Sequence, residues 1–195
     1  LTLTGGVTTL NGSPCSASGA NCTTITGYVD STTPDSVKFN ASEGLITDGT
    51  NLYVADKSNN RIRKVVIATG ATTTLAGNGT NAKVDGTGTS ASLSQPRFIT
   101  TDGTYIYLSD TTNNCMRKIH LTTTVVTTIA CSNSILSDPR GIVVYNNNLY
   151  IVDNSNNSIV QLDLATNTLT TVVASGLSSP RNLTLIGTDL YIADS

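Results

Sequence analysis

Short runs of four to seven residues rich in β-branched side chains punctuate this chain between clusters of Gly, Asn, Asp, Ser and Thr. In the stretch 44–77 the runs fall at 44–47, 52–55, 61–67 and 71–76, separated by DGTN, DKSNN and ATG. β-Branched and aromatic side chains suit a pleated, half-buried surface, and the separators carry the residues that turns require. No separator is long enough for a crossover helix, so neighbouring runs must pair antiparallel. The pattern predicts an all-β chain whose unit is a four-stranded antiparallel sheet.

That unit repeats. GLITDGTNLYVADKSNNRIRKVVIATGATTTLAG is followed by FITTDGTYIYLSDTTNNCMRKIHLTTTVVTTIAC and by GIVVYNNNLYIVDNSNNSIVQLDLATNTLTTVVAS, and a fourth copy opens at Asn182 as NLTLIGTDLYIADS. Asp56, Asp110, Asp153 and Asp194 mark equivalent positions, a spacing that suits propeller blades. A lone four-stranded sheet cannot bury both faces, and radial stacking covers them. LYVADKSNNRIRK, the glycine turn before it and the later G-x-x-x-x-L-A-G resemble the NHL-repeat family of β-propellers, in its secreted, bacterial-type form. YVDSTTPDSVKFNASEGLI and KVDGTGTSASLSQPRFI are similar to the loop that precedes the innermost strand in such members.

The resemblance implies one propeller domain over 1–195, holding about four blades' worth of strands. Full blades are expected at 44–77, 97–131 and 141–175. Residues 182–195 supply the first two strands of a further blade, and 1–12 supply its third and fourth, since 7–12 parallels 72–77. Family members usually resemble six-bladed rings. Three explanations of the blade split between the termini stay open: a segment of a longer propeller, a fibre in which one subunit's half blade takes the next subunit's hairpin, or a self-closed ring.

Composition narrows the function. Only 12% of residues are charged and the net charge is -2, with 34 Thr and 16 Gly, so surface polarity comes from hydroxyls and amides. An acidic chain with a pI near 5.1 offers no basic nucleic-acid surface, although the resemblance includes RNA-binding animal proteins. No apolar run approaches a membrane-spanning length. Leu1, with no initiator Met and no leader pattern, reads as the start of a processed or partial chain. Cys15 with Cys22, and Cys115 with Cys131, form two local groups without zinc or redox spacing, and each is read as a disulfide; Cys115 and Cys131 face each other at the open end of a hairpin turning at 122–124. Sequons at Asn21, Asn40, Asn78, Asn156 and Asn182 offer glycosylation sites. Together these place the chain outside the cell or on its surface.

Candidate chemistry is sparse. The repeated aspartates each end an apolar strand before an Asn- or Ser-rich turn and are expected to accept turn N–H groups. His120 has no partners for a triad or zinc site, and propeller lyases of the family, by resemblance, use several histidines on metal. Asp30, Asp35 and Asp85 lie in oxygen-rich loops, read as connectors with weak calcium binding as the alternative. Phe39 and Leu93 are expected to anchor those loops. Arg97, Arg140 and Arg181 recur before the innermost strands, where they form either a positive ring at the channel mouth or local bonds. Arg61, Arg63, Lys64, Arg117 and Lys118 read as strand-edge charges, with Ser158 and Val160 replacing two of them in the third unit. The expectation is a non-enzymatic extracellular scaffold needing no cofactor. Its partners are other protein subunits and attached glycans, without nucleic acid or a membrane span, and a head-to-tail fibre is its assembly. The rival is a ligand-binding, hydrolytic or lyase propeller with its site at the channel mouth.

Overall fold

The computed structural model describes residues 27–131 and 134–195. The segment 1–12, Cys15, Asn21 and Cys22 lie outside the described residues. Among the described residues, four antiparallel sheets follow one another. The first holds β1 (Leu45–Thr47), β2 (Asn51–Asp56), β3 (Arg61–Val66) and β4 (Thr72–Ala76) in sequential order. The second holds β5 (Gly86–Thr87), β6 (Pro96–Thr101), β7 (Tyr105–Asp110), β8 (Cys115–His120) and β9 (Val125–Cys131), with β5 added outside β9. This fifth strand departs from the expected four and comes from the insert ahead of β6. The third sheet holds β10 (Pro139–Tyr145), β11 (Asn148–Asp153), β12 (Ser158–Asp163) and β13 (Thr168–Val173), and the last pairs β14 (Asn182–Ile186) with β15 (Asp189–Ala193).

The sheets stack face to face, which is why their central strands read as continuous apolar runs rather than strict alternation. Tyr53, Ala55 and Ile62 meet Ile106, Leu108 and Ile119 across the first gap, with Ala91 and Leu93 of the insert filling it. On the other face of the same sheet, Tyr107, Met116 and Ile129 meet Leu149, Ile151, Val160 and Leu162 over Leu136. Val152 and Ile159 pack on Leu183 in the third gap. At roughly 1.5–3 kcal/mol for each fully buried large aliphatic side chain, these gaps dominate the stability.

Successive first strands lie side by side, β1 with β6, β6 with β10 and β10 with β14, forming the inner seam of a propeller. Glycine is required there by close approach. A Cβ on Gly44 would stand 2.6 Å from the carbonyl oxygen of Arg97, and one on Gly141 would stand 2.5 Å from the Cα of Asn182.

A second link joins each blade to the next. Asn60, Asn114 and Asn157 take left-handed backbone angles, with φ of 53°, 51° and 51°, which asparagine tolerates. Their Oδ1 atoms accept the backbone N–H of Gln95 (2.8 Å), Asp138 (3.0 Å) and Ser179 (2.7 Å), each just before the next blade's first strand. The fourth strand of every full blade also carries a bulge, Leu75, Ile129 and Val172 being the extra residues opposite Ile62/Arg63, Met116/Arg117 and Ile159/Val160. Cys115 sits opposite Cys131 and Met116 opposite Ala130, after which the register slips by one residue.

Candidate functional site

The ends of the second strands, the starts of the third and the inserts gather at one end of the blades, and nearly all the buried charge is there. The recurring aspartates have one geometry. Each accepts the backbone N–H of the residue sixteen positions earlier: Asn40 to Asp56 (2.7 Å), Ser94 to Asp110 (2.6 Å), Ser137 to Asp153 (2.8 Å) and Ser178 to Asp194 (2.7 Å). In the three full blades the other oxygen takes the Nδ2 of Asn59, Asn113 or Asn156 at 2.7–2.9 Å. These carboxylates tie the turn after strand two to the chain that enters strand one of the same blade. Burial pushes the carboxyls of Asp110 and Asp153 above their usual value, with those hydrogen bonds opposing it.

Arg63 and Arg117 correct the expectation of strand-edge charges, for both are fully buried. Arg63 donates to Asp56 (2.9 Å) and Asp30 (2.6 Å) and to the carbonyls of Val29 and Lys38. Arg117 repeats the pattern with Asp110 (2.7 Å), Asp85 (2.8 Å) and the carbonyls of Val84 and Ser92. A planar guanidinium with five donors suits this task of clamping two carboxylates and two carbonyls at once. Asp30 and Asp85 also accept the N–H of Thr74 and Thr128 on the outer strands, at 2.9 and 3.0 Å. Burial works to raise Asp85, but Thr128 and Arg117 outweigh it and hold its carboxyl below the usual range. Of the three loop carboxylates considered for calcium, Asp30 and Asp85 are thus engaged by guanidinium groups. Asp35 lies in the short turn Pro34–Ser36 of the first insert. Leu93 is fully buried beneath the second insert, and the Phe39 ring lies under the Arg63 guanidinium at 5.0 Å.

The remaining candidates are dispersed. Arg97 faces Glu43 of the neighbouring blade at 3.7 Å, Arg140 folds onto Asp138 at 2.7 Å, and Arg181 is exposed. Glu43 occupies in the first blade the position that the three arginines hold in the others, so these equivalent positions carry both signs. Arg61 stacks on Tyr28 at 3.7 Å and donates to the carbonyls of Asn59 and Asn78. The His120 Nδ1 accepts the N–H of Thr122 and its ring meets Tyr105 edge-on. Cys115 and Cys131 are bridged, with Cα atoms 4.2 Å apart. Among the sequons, Asn78, Asn156 and Asn182 are exposed and Asn40 is half-buried, but Asn156 commits its Nδ2, the atom a glycan would take, to Asp153. Among the described residues, no helix is long and apolar enough to cross a membrane.

Stacked four-stranded sheets joined along an inner seam define a β-propeller repeat protein. The family model described as "Repeat of unknown function (DUF6923)" matches residues 64–184, and the chain belongs to that family. The NHL resemblance is borne out by NHL repeat-containing protein 2 of Gallus gallus, 30% identical over 103 residues, a match covering 53% of this chain and 14% of that protein. Among solved structures, a nidogen/laminin complex matches with a TM-score of 0.66 at 22% identity, over 80% of this chain and 56% of that one. Virginiamycin B lyase from Staphylococcus aureus matches with 0.61 at 19% identity, over 79% and 49%. A protein of unknown function from Bacteroides thetaiotaomicron matches with 0.71 at 16% identity, over 96% and 44%. At these identities the structures share the fold. The chain spans about a seventh of the curated relative and about half of each structure.

Proposed function

We propose that the chain is a non-enzymatic extracellular scaffold, binding other proteins or further copies of itself through its sheet edges and loop surfaces. The observation that carries this reading is the commitment of its buried charge. Arg63 with Asp56 and Asp30, and Arg117 with Asp110 and Asp85, are bound to one another and to backbone in loop-holding clamps. Catalytic groups, by contrast, are aimed at a space that a substrate can enter. The disulfide, the exposed sequons and the low charge support an extracellular setting, and the likeness to a nidogen/laminin complex supports protein partners.

In the fibre form of this proposal the sheet β14–β15 accepts a hairpin from another copy, the segment 1–12 being its sequence complement. Tyr191 and Ile186, 53% and 62% exposed, mark that sheet's open face. Electron microscopy of the purified chain, run beside a panel of lactone and lyase substrates with and without calcium, tests both parts. Filaments without turnover are expected. Dispersed particles at every concentration would remove the fibre, and turnover abolished by substitution at Arg181 would replace the scaffold with an enzyme. The exposed Arg181, in the position where Arg97 and Arg140 are paired, is what favours that second reading of a ligand site at the channel mouth.

A further inference from the structure

The outer edges of the three full blades are not finished alike. Pairing across the third and fourth strands sets Thr74, Thr128 and Thr171 in one equivalent position, opposite Arg63, Arg117 and Val160. Thr72, Val126 and Leu169 are likewise equivalent, opposite Val65, Ile119 and Leu162. In the first blade both outward positions are covered by the insert: Thr72 exchanges two backbone hydrogen bonds with Ser31, and Thr74 N–H goes to Asp30. In the second, Val126 pairs with Gly86 of β5, and Thr128 N–H goes to Asp85. The third blade has neither the long insert nor the arginine, and among the described residues nothing pairs with the outside of β13. The molecule therefore shows twice, within itself, what an outer edge of this kind takes up: an extended segment laid antiparallel along it.

β13 is suited to a copy of itself. Its sequence is TLTTVV, and no residue from 164 to 180 carries a charge, so two such edges meet without repulsion. Native edge strands are usually blunted by a charge, a proline, a bulge or a cover; β13 has no charge or proline and, among the described residues, no cover, and its one bulge, at Val172, leaves the stretch Thr168–Thr171 regular. Thr168, Thr170 and Val172 are exposed along one face, Val172 at 44%. A two-fold axis normal to the sheet and passing at Thr170 places Thr170 opposite Thr170, a pair that favours sheets, within the regular stretch ahead of the bulge at Val172. It also brings the outward groups of Leu169 to those of Thr171.

We infer that β13 is a self-association edge, joining two copies of this chain through antiparallel β13–β13 pairing into one eight-stranded sheet. This deepens the scaffold reading and rests on it. Because the contact is isologous it closes at two subunits, whereas blade completion propagates, so the two assemblies are told apart by their products.

Charge exchange tests the edge. The unsubstituted chain is measured by sedimentation equilibrium across a concentration series, beside Thr170→Lys and Thr170→Glu, each alone and mixed in equal amounts. A doubled mass for the unsubstituted chain is expected, with loss of dimer in each variant alone, where like charges face each other across the axis, and its recovery on mixing. Matching circular dichroism and melting confirm that the variants fold. Thr171→Pro, which removes an outward N–H that β12 does not use, gives the same loss without adding charge. A monomer at every concentration, a dimer indifferent to Thr170→Lys, or no recovery on mixing would each overturn the assignment. Loss of filaments with the dimer retained would count against blade completion alone.

Discussion

Methionine at position 117 would retain most of the buried volume of Arg117 while removing its charge. Asp110 has no exposed surface, and in the variant its carboxylate would keep only the Ser94 N–H and Asn113 Nδ2. Removing one partner of a buried pair costs about 3–5 kcal/mol, because the remaining charge stays desolvated. Asp85, whose side chain is 48% exposed and keeps Thr128, adds at most about 1 kcal/mol. Against a total of roughly 5–15 kcal/mol for a typical domain this is a large loss. Urea unfolding followed by far-ultraviolet circular dichroism at neutral pH measures it.

The pH dependence gives an independent check on the same variant. Burial already raises the Asp110 carboxyl above its ordinary 3.8, and without Arg117 it rises further. The folded variant then binds a proton that the unfolded chain releases, so its stability increases as pH falls from neutrality toward the carboxylate range. The deficit against the unsubstituted protein should shrink over that interval, and adding Asp110→Asn should recover part of it at neutral pH. A loss below about 1 kcal/mol, or one independent of pH, would refute the claim that Arg117 neutralises a buried carboxylate.

Gly141→Ala should cost about 1–3 kcal/mol by forcing the inner strands apart, read from the same urea midpoint. Replacing both Cys115 and Cys131 with serine opens a loop of 16 residues and should cost roughly 3 kcal/mol, visible as a lower melting temperature that reductant no longer changes. Asn60→Ala loses the link to Gln95 and strains a left-handed backbone position, for about 1–3 kcal/mol in thermal unfolding. Burial, then the Asp48 carboxylate, push the Tyr53 hydroxyl up to about 12 from 10.0. Its contribution should be intact below pH 10 and fade as pH rises through 12, and ultraviolet titration of Tyr53→Phe against the parent isolates it.

Much of this architecture is legible in the repeats. The strand-end aspartates, the short turns and the apolar runs are local signals, but the aspartates' partners are not those expected: Asp56 and Asp110 take no backbone N–H of the turn that follows them, and with Asp153 they accept a backbone N–H from sixteen residues earlier. The buried arginines escaped a local reading because RIRK and CMRK look like ordinary edge charges. Their signal was a correlation at long range: Arg63 and Arg117 stand seven residues after the aspartate only in the two blades preceded by an insert bearing Val-Asp, and Val160 replaces them where the insert is missing. The bulges at Leu75 and Ile129, opposite the strands that carry Arg63 and Arg117, leave no mark in composition or period. β5 was equally hidden, since a two-residue strand is defined by its partner and not by its own sequence.

Residue-resolved amide hydrogen exchange on the folded chain tests most directly whether the buried charges exist to hold loops on the blades. On this account the amides of Ser94 and Thr128 in the unsubstituted protein, held by Asp110 and Asp85, should exchange only with global unfolding; in Arg117→Met, where these bonds stay but the clamp joining insert to blade is gone, both should exchange faster through local opening. Exchange of these two amides at the rate of exposed loops in the unsubstituted protein would contradict it.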